Sequence, residues 1–95
     1  MNIQKLHENQ KEVSAKPLFE TSEGSVTALQ ILGNALLKEH ITKVPALLLC
    51  VSGEVIFENE KGLHQTLSSG DFVNIEPLVK HWVKGVRDSQ LLLIK

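Results

Sequence analysis

Cysteine, tyrosine and tryptophan are nearly missing from this 95-residue sequence: it has one cysteine, one tryptophan and no tyrosine, and aromatic residues make up 4%. The lone Cys50 excludes an intrachain disulfide and fits a reducing compartment. Neither sign of charge is in excess, with ten Lys and Arg against eleven Asp and Glu and a formal net charge of -1. The two signs are interleaved, so no basic stripe or acidic tail calls for nucleic acid or an anionic membrane surface. Long apolar runs are absent too, and none approaches the roughly 20 residues of a membrane-spanning helix. Met1 to Glu8 lacks the apolar core of a signal peptide. The expectation is a cytoplasmic protein that binds neither nucleic acid nor membrane. Also missing are a sustained helical period, an internal repeat and a low-complexity linker.

What is present suits a small globular domain. Hydrophobic residues make up 42% and charged residues 22%, an ordinary balance for a folded chain. A chain of this length forms one domain and buries only about 60–65% of its unfolded surface, so its core is thin. Residues 1–16 are polar, with Leu6 and Val13 as anchors, and read either as an arm or as an edge strand. The barrel domain is expected over 17–95.

From Pro17 onward, short β-rich stretches alternate with turns. Leu18–Thr21, Val26–Leu32, Ala46–Val51, Glu54–Glu58, Leu63–Leu67, Phe72–Ile75, His81–Val83 and Gln90–Ile94 read as strands. Gly- and Asn-bearing clusters such as Gly33-Asn34, Ser52-Gly53 and Asn59-Glu60-Lys61-Gly62 read as turns between them. Ala35–His40 has helical propensity, but it is too short for a stable helix and turns hem it in. It reads as a strand or an extended connection. Strands at this spacing indicate an all-β sandwich or barrel.

Two stretches carry the chemistry. Gly70-Asp71 turns the chain into Phe72–Ile75, Glu76-Pro77 ends that strand because proline has no N–H to donate, and His81 follows. His40 stands ahead of the apolar strand Ala46–Val51, which closes at Gly53. These residues resemble the cupin family. Gly70-Asp71, Ile75, Pro77 and His81 are similar to its second motif, with Glu76 where the proline is usual and Pro77 one place later. Gly33, His40 and Gly53 match its first motif, in which Thr42 stands at the place of a second histidine and Ala46 at the place of a glutamate. The resemblance spans Leu29 to Ile94 and implies a cupin-type jelly-roll β-barrel whose interior His40 and His81 share.

A cupin metal centre implies three imidazoles and a carboxylate aimed at one point. Here His40 and His81 remain as candidate ligands for iron, manganese, nickel or zinc, Thr42 offers only a neutral hydroxyl, and Ala46 offers no donor. Cys50, Glu76 and His64 are the candidates for a further donor. Against these stand a small buried hydrophobe, a solvated loop carboxylate and a surface histidine. The preferred reading is two imidazoles without metal, hydrogen-bonded to a polar ligand or to the barrel wall. The expected ligand pocket is His40, Thr42, Ala46, Leu48, Cys50 and His81, with the faces of Phe57, Phe72, Trp82 and Val83 left open. No activated nucleophile, phosphate cradle or carboxylate pair accompanies them.

The expected function is therefore non-catalytic binding of a small polar or sugar-like ligand, with a degenerate metal site. The alternatives are a metal-dependent oxygenase or isomerase using both histidines and a further donor, and a partner-binding subunit acting through its outer sheet face. A homodimer is expected on separate grounds. Leu47-Leu48-Leu49 and Leu91-Leu92-Leu93-Ile94 place apolar side chains on both faces of their strands, and a lone barrel covers only one face.

Overall fold

A computed structural model describes all 95 residues. After a single 3-10 turn at Gln4–Leu6 the chain is built of strands: β1 (Val13–Glu20), β2 (Ser25–Ile31), β3 (Leu36–His40), β4 (Ala46–Ser52), β5 (Glu54–Asn59), β6 (His64–Ser68), β7 (Phe72–Ile75), β8 (His81–Gly85) and β9 (Ser89–Ile94). They form a five-stranded sheet in the order β1-β2-β9-β4-β7 and a four-stranded sheet in the order β3-β8-β5-β6. Every pairing is antiparallel. This is the all-β architecture expected from the alternation of short strands and turns, and the jelly-roll barrel that the cupin resemblance implies. No helix is long and apolar enough to cross a membrane.

The core lies between the sheets and follows the period-two rule of a half-buried strand. Ala46, Leu48 and Cys50 point inward from β4, Val55 and Phe57 from β5, Val73 and Ile75 from β7, and His81 and Val83 from β8. Ala35–His40 settles as strand: β3 pairs with β8, and that long-range ladder outweighs the helical propensity of Leu, Lys and Glu.

The start of the chain differs from its reading. β1 runs through Pro17 without a break, so the expected boundary between 1–16 and 17–95 falls inside a strand. Pro17 is tolerated because β1 is an edge strand, and the ladder slips register between Pro17 and Phe19. Leu6, read as an anchor, is exposed, and the buried residues of this segment are the polar His7 and Ser14, at 5% and 2% exposure.

His7 closes a polar clasp over the outer face of the larger sheet. Ser14, Gln30 and Gln90 stand in register across β1, β2 and β9. His7 Nδ1 lies 2.7 Å from Ser14 Oγ. Gln30 Nε2 donates to the carbonyls of Glu8 and Lys11, and Gln90 Nε2 donates to Gln30 Oε1. Burial first, then the charges of Lys16 and Lys11, push the His7 imidazole below its ordinary 6.5. Below about pH 6.5 the unfolded segment takes up a proton that the clasped one resists. The clasp's contribution is complete above that pH and is lost as pH falls through the lowered folded value. The Gln30 side-chain amide signals should therefore move toward free-glutamine positions between pH 7.5 and 5 in wild type, and not in His7→Gln. Unchanged wild-type signals down to pH 5 would contradict the clasp.

Candidate functional site

A cavity of about 180 Å³ lies between the sheets near one end of the barrel. Its wall is mainly aliphatic, with Leu29, Leu37, Leu48, Ile75, Val83 and Leu93 packed around three polar side chains, Thr27, His40 and His81. Ala15 of β1 completes it, and Ala15 and His40 are the exposed members that form its mouth.

The two histidines meet because β3 lies beside β8, which places His40 opposite His81. A register shift between Leu37 and His40 matters here. Residues three apart on a regular strand face opposite sides, yet Leu37 and His40 both line the cavity. The extra residue of the bulge restores the parity and turns His40 inward. His81 is 3% exposed, its ring stacked on Phe57 with centroids 5.5 Å apart and met edge-on by His40 at 4.4 Å. Burial, and secondarily the neighbouring His40, push the His81 imidazole below 6.5, so the neutral ring is favoured. His81 Nδ1 is fully buried and makes no well-formed hydrogen bond, with the Val79 backbone beside it as a weak partner. His40 Nδ1 lies 2.9 Å from the Lys38 carbonyl, which can only accept. In the neutral ring the proton therefore sits on Nδ1, and Nε2 carries the lone pair.

Of the six residues expected to form the pocket, His40, Leu48 and His81 line the cavity, whereas Thr42, Ala46 and Cys50 do not. Thr42 is buried with its hydroxyl unpartnered, and its carbonyl accepts from the Leu78 N–H. Ala46 pairs with Ile75 on β7 and is too short to reach where Ile75 does. Cys50 has the parity of Leu48 but lies two residues further along β4, about 6.6 Å toward the other end. Its thiol points at the Ser52 carbonyl 3.5 Å away, and burial first, then the charge of Asp71, push its pKa up. It remains a protonated, apolar filler.

The other candidates also find their places. Phe57 and Val83 face inward, and Phe72 is exposed on the outer face. Trp82 faces outward and donates to Glu58. His64 is exposed beside Glu58, and Glu76 pairs with Lys61 at 2.8 Å on the surface. A broader, open cleft at Gly53, Ser68, Ser69, Arg87 and Asp88 shares no residue with the cavity. Ala15, Thr27, Leu29, Leu37, Ile75 and Leu93 were not in the sequence-based pocket. Their inward parity is readable from alternation once register is known, but which of them meet at one end is set by non-local pairing.

A resident metal fits this site poorly. Nowhere do three His, Cys, Asp or Glu side chains come together. A catalytic centre takes about three protein donors with an open position, and the cavity offers two imidazoles, one of them packed between Phe57 and His40.

The sequence matches no protein-family model and no curated protein. Solved structures are similar over nearly the whole chain. A cupin superfamily protein from Desulfitobacterium hafniense DCB-2 superposes with a TM-score of 0.86 at 14% identity, covering 98% of this chain and 84% of that one. A cupin-2 domain containing protein from Shewanella frigidimarina NCIMB 400 gives 0.81 at 14% identity, covering 100% and 92%. KdgF from Halomonas sp. gives 0.79 at 18% identity, covering 93% and 82%. At such identities the likeness concerns architecture and leaves substrate and activity open. With two facing antiparallel sheets, a histidine from each motif on one cavity wall and these superpositions, the chain has the cupin fold.

Proposed function

We propose that this barrel is a non-catalytic binder of a small molecule, held between the sheets against the His40–His81 pair. One observation carries the reading: two imidazoles, their ring centroids 4.4 Å apart, stand together on the wall of an otherwise mainly aliphatic cavity. A polar pair on an apolar wall orients a small ligand, and a hydroxyl is its natural partner. The cavity wall holds two imidazoles able in principle to move a proton, but no carboxylate and no base-activated nucleophile beside them. A reducing, cytoplasmic setting accords with the single free thiol of Cys50.

Methyl-labelled protein titrated with a panel of small neutral alcohols and monosaccharides tests this. Shifts at Leu48, Ile75 and Val83 methyls, abolished in a cavity-filling Leu48→Phe variant, are expected. Silence at those methyls with every compound at millimolar concentration would contradict it. Metal analysis of protein purified without added metal makes the second arm. Stoichiometric iron, manganese, nickel or zinc that disappears in His40→Ala and His81→Ala would replace binding with metal-dependent enzymology.

We further propose a homodimer through the outer face of the five-stranded sheet. Leu92, Leu49 and Phe72 stand in register across β9, β4 and β7 on that face. Leu47, Val51 and Ile94 extend the patch, and the outward positions of β4, β7 and β9 bear no charge. The outer face of the other sheet is charged: Glu58 accepts from Lys84, His64 and Trp82, which hold its carboxyl at about 2. An uncharged apolar face suits a second copy of itself. Light scattering at micromolar concentration should give twice the chain mass for wild type and the chain mass for Leu49→Lys. A wild-type monomer would contradict the dimer.

A further inference from the structure

We infer that the cavity is fitted to a neutral, single-ring alcohol, its ring among the aliphatic side chains and its hydroxyl on the imidazole pair. This names the ligand class for the binding reading above and rests on it.

Size comes first. The cavity measures about 180 Å³. An engineered aliphatic cavity of about 150 Å³ takes benzene, so one ring with one further heavy atom fits here. The space is well below the roughly 300–1,000 Å³ of sites for larger ligands, which leaves no room for a nucleotide or a disaccharide.

Charge and polarity narrow the class further. No Lys, Arg, Asp or Glu lines the cavity. A buried carboxylate would have only the imidazoles to pair with, and burial favours the neutral form of His81. A monosaccharide would bring several hydroxyls to a wall with only three polar side chains, and unpaired buried hydroxyls oppose binding. The hydrogen-bond roles then select a hydroxyl. His40 Nε2 is left as an acceptor by the Nδ1 contact to Lys38, so a ligand hydroxyl can donate to it. A hydroxyl donates and accepts at once, so one oxygen can serve two rings whose centroids are 4.4 Å apart. A ketone could only accept, and a hydrocarbon could do neither.

Four probes of similar or contrasting chemistry test the inference on the intact protein: phenol, benzene, benzoate and glucose, followed by methyl and histidine-ring NMR. Phenol should shift the Leu48 and Val83 methyls together with the His81 ring, and bind about tenfold more tightly than benzene, the worth of one good hydrogen bond. Benzoate and glucose should leave the cavity methyls unmoved. In His81→Leu, which keeps the site apolar and packed, phenol should fall to the affinity of benzene. Benzoate or glucose binding as tightly as phenol would overturn the ligand class while leaving the cavity a binding site. Equal affinity for benzene and phenol in wild type would overturn the role of the imidazoles. Silence with all four would overturn the class and the binding reading together.

Discussion

Phe57→Ala should lower the unfolding free energy by about 3–5 kcal/mol. Phe57 is 1% exposed and the largest of the fully buried side chains. It sits on β5, flanked by Val83 on β8 and Gln65 on β6, and its ring stacks on His81. Removing that ring loses the transfer energy of the buried atoms and leaves a void the two sheets can only partly close. A domain of this size has roughly 5–14 kcal/mol in all, so much of the protein's stability rests on one side chain. The thermal midpoint should fall by about 15 °C or more. The same change widens the space behind His81 and frees its ring, so phenol affinity should fall with stability. Phe57→Leu retains most of the volume and should cost under about 1.5–2 kcal/mol. A loss below 1 kcal/mol for Phe57→Ala in urea unfolding would show that the sheets do not close on this ring.

Gly85→Ala, a change of one methyl group, should destabilise by about 3 kcal/mol, the upper end for overpacking. A Cβ at Gly85 would run into the main-chain carbonyl of Leu32 and come within 3.0 Å of Ile31 Cγ2. The obstruction is backbone, so no rotamer change relieves it. Here the Gly33–Asn34 connection crosses from one sheet to the other and lies against the end of β8. Asn34 N–H donates to the Gly85 carbonyl and Gly85 N–H donates to Ala35, both within 2.9 Å. Gly62→Ala provides the comparison. Gly62 has φ of 90° but nothing within 4 Å of a built Cβ, so its cost is conformational alone, about 1–2 kcal/mol. Equal losses for the two variants would mean that the crossing does not press on β8 as described.

Alternation and turn chemistry made most of the architecture legible. Val73 and Ile75 alternate with exposed neighbours, and the Gly-Asp turn at 70–71 and the proline corner at 77 mark strand ends without any knowledge of the partner strand. Val55-Ile56-Phe57, by contrast, is an apolar run whose inward face only the pairing settles. Parity also placed Leu48 inward. It could not say how far along the barrel a side chain lies, which is why Cys50, with the same parity, fills the core instead of lining the cavity. The same limit applies to Ala46, while Thr42 lies in the connection between β3 and β4 and owed its place in the expected pocket to the resemblance alone.

The bulge in β3 was out of reach as well, because it exists only in the pairing with β8 and nothing in Leu37-Lys38-Glu39-His40 announces it. At the N-terminus, a polar composition hid a buried residue. His7 is sheltered by a ladder of Ser14, Gln30 and Gln90 whose members lie up to 76 positions apart in sequence (residues 14 and 90). Pro17 reads locally as a break, yet an edge position tolerates it.

The cavity's character follows from what surrounds the two imidazoles. Thr42 and Ala46, which the cupin resemblance puts at the places of further donors, lie off the cavity, and aliphatic side chains from β2, β4, β7, β8 and β9 occupy most of its wall. The result is a small apolar space with hydrogen-bonding groups concentrated on His40, His81 and Thr27. The most direct test is a crystal structure of protein purified without added metal and soaked with phenol, with anomalous data collected at the transition-metal edges. The account predicts a ring in the cavity beside Leu48 and Val83, its oxygen within hydrogen-bonding distance of an imidazole, and no anomalous peak. A metal peak bound by His40, His81 and a third protein donor would contradict it, as would imidazoles turned away from each other with the probe bound outside the barrel.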